Sequence, residues 1–427
     1  MSKPLKIAIA GIGTVGAGVI KILETHKDMI AARTGREIEI VAVSASNRTK
    51  DRGIDISAYD WADNALDFAD RDDVEIVVEL IGGSDGVAAA LARQSLANGK
   101  SFVTANKALI AHHGAELAQS AEDKKVSLRF EAAVAGGIPI IKSIGEGLAA
   151  NRLTKVYGIL NGTTNYMLTQ MEATGKDYSE ILEETKLLGY LEADPALDLD
   201  GIDAGHKLAI LSSVAFGVKT DFENVYMEGI RRIKLVDIEY AKELGYRIKL
   251  LGISSLSEAG LEQRVHPCLV PRSAPIANVD DGFNAVVVDG DFVDQTFYEG
   301  RGAGEGPTAS AVVADIIDIA RGHCGPAFFV PVQAMQAVKP VSISDRVGPY
   351  YIRLHVEEQP GVIADITAAL RDQDVSLHVM LQKGSEQDGS VYVVMVTHET
   401  REKRLMDALD QINGLSSVID KALAIRI

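Results

Sequence analysis

The chain has little cysteine, no long apolar run and no excess of positive charge, and each absence argues against a class of protein. Only Cys268 and Cys324 occur among 427 residues. They form no CxxC pair and no spacing suited to zinc, so neither a disulfide framework nor a zinc module is expected. No apolar run reaches the roughly 18 to 20 residues that span a bilayer. The net charge of -17 repels phosphate backbones and anionic membranes, so neither nucleic acid nor a membrane is an expected partner.

The other totals describe a soluble globular protein of more than one domain. Hydrophobic residues make up 47% of the chain and charged residues 24%, and the length suggests two or three domains. The amino-terminal stretch MSKPLKIAIAGIGTVG is apolar but rich in glycine and lacks a convincing signal-peptide cleavage site. We therefore expect it to form a first strand, in a cytoplasmic protein.

A glycine-rich turn follows this first predicted strand, Leu5 to Ala10. Gly11, Gly13 and Gly16 form a GxGxxG pattern, and a helical pattern runs from Val15 to Leu23. Such glycines let the backbone approach a pyrophosphate, whose charge the helix N-terminus favours. The pattern predicts a dinucleotide site, and a tight turn without a phosphate is the alternative.

The second predicted strand, Glu39 to Val43, bears on the choice of cofactor. An acidic residue after this strand would hold the ribose 2′-hydroxyl of NAD, but none occurs from Ser44 to Lys50. Ser46, Arg48 and Lys50 would instead receive a 2′-phosphate, which favours NADP. An ordinary surface loop explains the two basic residues equally well.

Three more strands are predicted in this part: Val74 to Leu80, Ser101 to Thr104 and Val126 to Glu131. Ligands of such sheets lie at the carboxyl ends of the strands. Lys107, just after the strand that ends at Thr104, is therefore well placed for a site, although it would also suit a solvent-facing helix. The last strand leads into AAVAGGIP, whose paired glycines allow close approach to a ligand or an ion.

The most acidic stretch runs from Gly189 to Leu211, GYLEADPALDLDGIDAGHKLAIL. Its last part has the apolar spacing of a helix, so Asp203 and Lys207 share one face, which continues with apolar residues. Burial disfavours a charged lysine and adjacent carboxylates favour it, a balance that makes a proton donor near neutral pH. A solvated acidic loop before a helix with an ordinary salt bridge is the alternative.

Other patterns predict a mixed sheet around this stretch. The segment NGTTNYM after a predicted strand would orient a small polar substrate or cap the next helix. A second glycine-rich loop, in GRGAGEGPTASAVVADIIDIA from Gly300, enters a helix. It would close over the cofactor or serve only as a crossover turn. Further short strands are predicted at about 153–160, 249–254, 261–269, 283–289 and 295–299.

The end of the chain is predicted to be a separate unit. Residues 338–349, with two prolines and a glycine, are typical of a linker. From Tyr351 onward the predicted order is strand, helix, strand, strand, helix, strand, which is a ferredoxin-like βαββαβ unit.

Together these motifs resemble homoserine dehydrogenase with a carboxy-terminal ACT domain, over essentially the whole chain. The segments GIGTVGAGV, FVTANK, EAAVAGGIPII, LNGTTNYML, the acidic stretch and GAGEGPTASAVVADI occur in the family's order. EQPGVIADI is similar to the turn at which ACT domains bind amino acids. The resemblance implies an α/β fold with a Rossmann-type domain (1–134), an α+β mixed-sheet catalytic and dimerisation domain (135–337), a linker (338–349) and a ferredoxin-like ACT domain (350–427). The helix at about 307–321 is expected to return to the first domain.

The resemblance also implies an activity, the NAD(P)-dependent interconversion of L-homoserine and L-aspartate 4-semialdehyde. It implies a homodimer or homotetramer and an amino-acid effector, L-threonine being typical of the family. The expected catalytic residues are Lys207 as the proton donor to the carbonyl oxygen, the acid Asp203 beside it, and Lys107. The other expected site residues are Glu192, Asp198, Asn161 and Thr163 for the substrate; Gly11, Ile12, Gly13, Thr14, Val15, Gly16, Ser46, Arg48, Thr104, Lys107 and Gly304 for the cofactor; and Glu131 with the backbone carbonyls of Val134, Gly136 and Ile138 for a structural, sodium-like cation.

The motifs are compatible with more than one cofactor, proton donor and function. Many relatives carry arginine where this chain has Ser46, so NAD and NADP are both possible. Either Lys107 or Lys207 would serve as the principal proton donor. The acidic cluster suits a substrate with its own ammonium group, whereas a plain 2-hydroxy acid would call for arginine. Another amino-acid-linked oxidoreductase, or a non-catalytic sensor of amino acids and redox state, is the alternative function.

Overall fold

The computed structural model describes residues 3–191, 195–383 and 389–427. Its amino-terminal part contains six strands: β1 (Leu5–Ala10), β2 (Ile38–Ser44), β3 (Asp60–Trp61), β4 (Ile76–Glu79), β5 (Ser101–Thr104) and β6 (Leu128–Arg129). They form one parallel sheet in the order β3-β2-β1-β4-β5-β6. In dinucleotide-binding sheets of this order, the ligand lies where the order reverses, beyond β1 and β4.

Helices cover this sheet: α1 (Thr14–Thr25), α2 (Lys27–Thr34), α3 (Val87–Ala97) and α4 (Lys107–Lys124). Strand β1 is apolar at almost every position and buried at all but Lys6, as expected of a parallel strand that is covered on both faces. The predicted nucleotide-binding fold is confirmed.

The middle of the chain forms a second sheet. Its strands are β7 (Leu153–Ile159), β8 (Tyr226–Met227), β9 (Tyr246–Ser257), β10 (Gly260–Pro271), β11 (Phe283–Gly290) and β12 (Asp294–Arg301). Its helices are α5 (Ile140–Lys142), α6 (Gly162–Thr174), α7 (Tyr178–Leu187), α8 (Ala196–Leu199), α9 (Ile202–Phe216), α10 (Leu235–Glu243) and α11 (Glu305–Ala320).

Helix α11 packs on α1 of the nucleotide-binding part. A methyl group on Gly18 would lie 3.0 Å from the Cβ of Ala309, so the two helices meet through small residues. Buried residues of both helices, such as Val19 and Val312, share one apolar core with β1. The second glycine-rich loop therefore leads the chain back to the first sheet.

The carboxy-terminal part has the order predicted from its sequence. Its elements are β13 (Val347–Gly348), β14 (Tyr350–Glu357), α12 (Val362–Asp372), β15 (Leu377–Gln382), β16 (Ser390–Thr397), β17 (Thr400–Arg401), α13 (Glu402–Asn413) and β18 (Val418–Arg426). Apart from the two-residue strands β13 and β17, these are the six elements of the βαββαβ unit.

The second and third parts share one sheet. Its order is β12-β11-β7-β9-β10-β18-β14-β16-β15, and β8 also pairs with β10. The two parts join where Cys268 of β10 pairs with Arg426 of β18. Residues 339–341, in the segment predicted as a linker, also bond to Leu261 at the start of β10. The carboxy-terminal part is thus attached along a strand edge.

Buried polar contacts reinforce this junction. Arg426 is 2% exposed, forms an ion pair with Glu402 of its own domain and donates to Glu228 next to β8. Asp237 of α10, fully buried, accepts a hydrogen bond from the Tyr351 hydroxyl at 2.9 Å. A buried pair that loses one partner leaves an uncompensated charge, so these contacts tie the two domains together.

The predicted element boundaries were less accurate than the element types. The strand predicted from Val126 to Glu131 is only β6, because a 3₁₀ turn begins at Glu131. The sequence reading also missed α2 and the short edge strand β3. In the described part of the chain, no helix is both long and apolar enough to cross a bilayer.

Candidate active site

A cleft of about 820 Å³ lies between the nucleotide-binding part and the second sheet. We call it the central cleft. Val15, Ala105 and Lys107 line it from the first part, and Asp203 and Lys207 line it from α9. Gly302 to Gly304, the loop before α11, line it as well. The structure therefore brings together residues from widely separated motifs.

Asp203 lies between two lysines at the wall of this cleft. Its Oδ2 accepts a hydrogen bond from Lys207 Nζ at 2.6 Å, and its Oδ1 is 3.0 Å from Lys107 Nζ. Lys207 Nζ also donates to the carbonyl oxygen of Leu160 at 2.7 Å. Asp203 and Lys207 are 6% and 8% exposed, which rules out the solvated salt bridge considered from the sequence.

Glycines on either side of Asp203 hold α9 close to its neighbours. Gly201, with a φ of 83°, precedes the helix in the left-handed conformation. A methyl group on Gly205 would lie 2.7 Å from the sulfur of Met227 in β8. The absence of a side chain at Gly205 lets β8 pack against the helix turn between Asp203 and Lys207.

Asn161 links Asp203 to a second acid. Its Nδ2 donates to Asp198 Oδ1 at 2.7 Å and to Asp203 Oδ2 at 3.0 Å. Its Oδ1 accepts from the backbone N–H of Thr164 at 2.8 Å. Asn161 thus caps α6, as one of the two alternatives drawn from NGTTNYM expects, and it also positions the two acids.

The two acids differ in their electrostatics. Burial opposes the charge of Asp203, but Lys207 and Lys107 outweigh it and hold the pKa of Asp203 well below its ordinary value. Burial raises the pKa of Asp198, and its hydrogen bond from Asn161 only partly offsets that effect. Asp203 is a fixed anion, whereas Asp198 lacks a lysine at ion-pair distance among the described residues.

A second cavity, of about 630 Å³, follows the glycine-rich turn, and we call it the glycine groove. Gly11, Ile12, Gly13 and Thr14 line it. A methyl group on Gly13 would meet nothing within 4 Å, whereas one on Gly11 would lie 2.9 Å from the amide nitrogen of Ile81. Gly13 therefore keeps the start of α1 open to a ligand, where uncapped backbone N–H groups favour a phosphate. The groove fits a pyridine nucleotide.

The loop after β2 forms the far side of this groove. Ser46 and Lys50 line the groove, whereas the Arg48 guanidinium lies 5.7 Å from the ring centre of Trp61. The sequence reading missed Arg52, whose Nε donates to the carbonyl oxygen of Ile12 at 2.8 Å. Asp51 and Asp63 also line the groove, and both follow the segment from Ser44 to Lys50 in which the sequence has no acid.

Other expected cofactor and substrate residues are placed as follows. Thr104 is fully buried and lines neither cavity, since its hydroxyl donates to Glu79 Oε2 at 2.6 Å. Gly16 is buried against the carbonyl of Gly11. Gly304, Thr163 and Asp198 line the central cleft. Glu192 lies outside the described residues.

Glu131 is a buried carboxylate beside the residues expected to bind a cation. It is 2% exposed, and its two oxygens accept the backbone N–H groups of Ile141 and Lys142, each at 2.9 Å. Burial and the nearby Asp315 raise its pKa to about 8. Among the described residues no basic side chain is paired with it, because Lys142 pairs with Asp315 and Asp318. This environment fits a small cation.

Sequence reasoning also missed a buried lysine behind the cleft. Lys249 of β9 is 1% exposed, and its Nζ donates to the carbonyl of Val279 at 2.6 Å and to Asn165 Oδ1 at 3.1 Å. Burial lowers its pKa to about 8. Lys249 and Asn165 together hold residues 279–283, of which residues 281–283 line the cleft. Because Lys249 is 30 residues from Val279 and 84 from Asn165, no local pattern pointed to these contacts.

Family models match three segments of the chain. A model described as homoserine dehydrogenase matches residues 139–317, one described as homoserine dehydrogenase, NAD binding domain matches residues 11–131, and an ACT domain model matches residues 350–414. The first match covers the second sheet up to β12, the second covers the nucleotide-binding part after β1, and the third covers the βαββαβ unit up to the end of α13.

Two of the similar proteins match this chain over nearly its full length, and a third matches most of it. A homoserine dehydrogenase of Pseudomonas aeruginosa is 43% identical over 435 residues, covering 100% of this chain and 99% of the relative. The crystal structure of a homoserine dehydrogenase from Thiobacillus denitrificans is 44% identical, with a TM-score of 0.93, and covers 99% of this chain and 98% of that chain. A hyperthermophilic archaeal homoserine dehydrogenase in complex with NADPH is 26% identical, with a TM-score of 0.63, and covers 74% of this chain and 97% of that chain.

Proposed function

This chain belongs to the homoserine dehydrogenase family, and we propose on that premise that its central cleft binds L-aspartate 4-semialdehyde and reduces it to L-homoserine. The observation that carries this proposal is the position of Lys207 Nζ, hydrogen-bonded to Asp203 and to the carbonyl of Leu160 in a cleft that adjoins the glycine groove. The enzyme is an oxidoreductase with a pyridine nucleotide cofactor. When bound, the nicotinamide ring supplies or accepts the hydride.

Lys207 is the proposed proton donor. As the aldehyde carbon gains hydride, negative charge develops on its oxygen, and an ammonium group aimed there stabilises the charge and transfers a proton. Asp203 and the Leu160 carbonyl hold the ammonium in place. In the direction of homoserine oxidation, Lys207 must first lose its proton so that it can accept one from the hydroxyl.

Lys107 is a second cation at the same carboxylate, with a more exposed side chain than Lys207, 41% against 11%. We propose that Lys107 assists at the cofactor side of the cleft while Lys207 is the principal donor. Asp198, with Glu192, is proposed to hold the substrate ammonium, because Asp198 is a half-buried carboxylate of the cleft without an ion pair among the described residues, and a cation would offset the cost of its partial burial. Asn161 and Thr163 complete the proposed substrate contacts.

We propose NADP as the preferred form of the cofactor. Ser46 and Lys50 line the glycine groove and offer a hydroxyl and a cation for a 2′-phosphate, and Arg48 lies on the same loop. Asp51 and Asp63 favour the opposite choice, because a carboxylate would bind the 2′-hydroxyl of NAD. A side-by-side measurement decides between the two forms.

Further proposals concern the cation, the effector and the assembly. Glu131 with the carbonyls of Val134, Gly136 and Ile138 would hold a structural, sodium-like ion. The ACT domain would bind an amino acid, with L-threonine as the proposed effector. We also propose a homodimer or homotetramer in the cytoplasm; exposed Phe292 and Phe297 on the β11–β12 hairpin support association.

One experiment tests the core of the proposal. Purified enzyme is given L-homoserine with NAD or NADP in parallel, with and without L-threonine, and the nicotinamide absorbance is followed. Turnover with one cofactor identifies the reaction and the preferred form, and inhibition assigns the effector. Cofactor binding without turnover of L-homoserine would refute the dehydrogenase and favour a sensor or a different substrate.

A further inference from the structure

Asn284, the second residue of β11, is a buried amide without partners in the wall of the central cleft. Asn284 as a whole is 1% exposed. Among the described residues neither Oδ1 nor Nδ2 has a hydrogen-bond partner, although Asn284 lines the cleft. Buried amide groups in folded proteins are almost always hydrogen-bonded. An unpaired amide at a ligand cavity therefore calls for an explanation.

The neighbouring asparagines show that the orphan amide is a local exception. Asn161 donates to Asp198 and accepts from Thr164, and Asn165 donates to the carbonyls of Val279 and Asp281. Asn165 also accepts from Lys249 Nζ, so both asparagines use the donor and the acceptor sides of their amides within the protein. Asn284, with the same side chain, uses neither among the described residues.

Two glycines make room for the Asn284 amide. A methyl group on Gly302 would overlap the amide carbon, nitrogen and oxygen of Asn284, and one on Gly162 would lie 3.4 Å from its Oδ1. Gly302 belongs to the loop that enters α11, and Gly162 opens α6. The amide is thus held between two backbone segments that both line the cleft.

The chemistry of the missing partner follows from the amide itself. Its oxygen needs a donor and its N–H₂ group needs an acceptor. The substrate ammonium offers only donors and the substrate carboxylate only acceptors, and the homoserine hydroxyl offers both but from a single oxygen. A primary carboxamide offers its donor and its acceptor from two separate atoms, as the side chain of Asn284 does. Within the proposed function, the nicotinamide ring must lie in this cleft, close to Lys207, for hydride to reach the carbonyl carbon.

We propose that Asn284 binds the carboxamide of the nicotinamide ring and thereby fixes which face of the ring is turned toward the substrate. Asn284 is then a positioning residue for the cofactor, since it does not touch the reacting carbon. This inference rests on the proposed function, because it requires a pyridine nucleotide in the cleft.

The test compares a cofactor with its 3-acetylpyridine analogue, which keeps the carbonyl but lacks the N–H₂ group. Binding is measured by isothermal titration calorimetry, without substrate and without turnover. In the natural enzyme we expect the analogue to bind about 5- to 100-fold more weakly, because it leaves Oδ1 of Asn284 without a donor. In Asn284→Leu, of similar volume, the ratio of the two dissociation constants should fall to about one.

Control variants make the result specific. Asn224→Leu changes an exposed asparagine that lines neither cavity, and it should keep the analogue ratio of the natural enzyme. If Asn284→Leu does not fold, as judged by circular dichroism and the melting temperature, Asn284→Ala provides the same comparison. An unchanged ratio in the folded Asn284 variant would overturn the inference. A different result would refute the proposed function itself, namely that the natural enzyme binds neither NAD nor NADP.

Discussion

Asp203 and Lys107 form an ion pair across the boundary between two domains, with Asp203 Oδ1 3.0 Å from Lys107 Nζ. Lys107 begins α4 beside the nucleotide-binding sheet, and Asp203 lies in the first turn of α9 on the other side of the cleft. The other oxygen of Asp203 binds Lys207. One carboxylate therefore fixes the positions of both candidate proton donors relative to each other.

Replacement of each lysine distinguishes their roles. Lys207→Ala should lower kcat by about 10²-fold or more and leave the fold intact, because it removes the proposed acid. Lys107→Ala should lower kcat less and weaken cofactor binding. Steady-state kinetics of both variants provides the measurement, with the exposed Lys186→Ala as the control. Near-normal turnover in Lys207→Ala would remove that lysine from the mechanism.

The cofactor preference should change when the basic loop is altered. Lys50→Ala should raise KM for NADP several-fold with little effect on KM for NAD, because only NADP carries the 2′-phosphate that this ammonium would bind. Arg48→Ala should have a smaller effect, since its guanidinium lies over Trp61 instead of lining the groove. Equal changes in KM for NADP and NAD would mean that Lys50 does not bind the 2′-phosphate.

Sodium should stabilise the enzyme through Glu131. A cation that binds only the native state raises the melting temperature by mass action. We expect NaCl to raise the melting temperature more than choline chloride does at equal ionic strength, and Glu131→Gln to abolish the difference. Calorimetry of the two proteins checks this. A sodium effect that survives in Glu131→Gln would place the cation elsewhere.

Acid should destabilise the fold through His206. Burial, and then the neighbouring His112, lower the pKa of His206 from 6.5 to about 4. As the pH falls, His206 of the unfolded chain is therefore protonated near pH 6.5, whereas His206 of the native state is protonated only near pH 4. The free energy of unfolding should fall over this window as the pH falls, by at most about 3 kcal/mol from this residue. In His206→Phe, which keeps a ring against Phe222, urea unfolding should show a smaller fall. An equal fall in both proteins would contradict the assignment.

The domain junction should depend on Asp237. Its carboxylate pairs with Arg353 at 3.2 Å and accepts from the Tyr351 hydroxyl. Asp237→Ala would leave a buried guanidinium without its counter-charge, and should lower the free energy of unfolding by about 3 to 5 kcal/mol. Asp372→Ala, which breaks an exposed pair with Arg371, should change it by less than about 1 kcal/mol. Similar losses in both variants, measured by urea unfolding, would show that the junction is not stabilised in this way.

The parts of the fold that could be predicted from sequence are those with a local signal. The spacing of Leu208 and Leu211 placed Lys207 on a helix, and α9 has that helix. The glycines from Gly11 to Gly16 follow a strand and open α1 as expected. In each case the physical cause, a period of apolar residues or a required glycine, lies within a few residues of the feature.

The rest depends on contacts between distant parts of the chain. Arg426 reaches Glu228 across 198 residues, and Glu131 meets Asp315 across 184. The sequence around Asn284 does not distinguish it from other strand residues, because its contact with Gly302 arises only in the folded chain. Periodicity carries no information on such pairs, so the shared sheet and the orphan amide became visible only in three dimensions.

The pairing of Cys268 with Arg426 gives the ACT domain a second consequence, for solubility. Strand β10 has β9 along one side. Among the described residues, its other side is covered by two-residue β8, by the backbone bonds of Leu261 to residues 339–341 and by β18. Without the carboxy-terminal domain, the part of that edge beside β18, around the buried Leu269 and Val270, would present free N–H and C=O groups to other chains. Exposed edges of this kind are templates for aggregation. The domain that would sense an amino acid therefore also seals a sheet edge, and a truncated enzyme would risk precipitation before any loss of regulation became apparent.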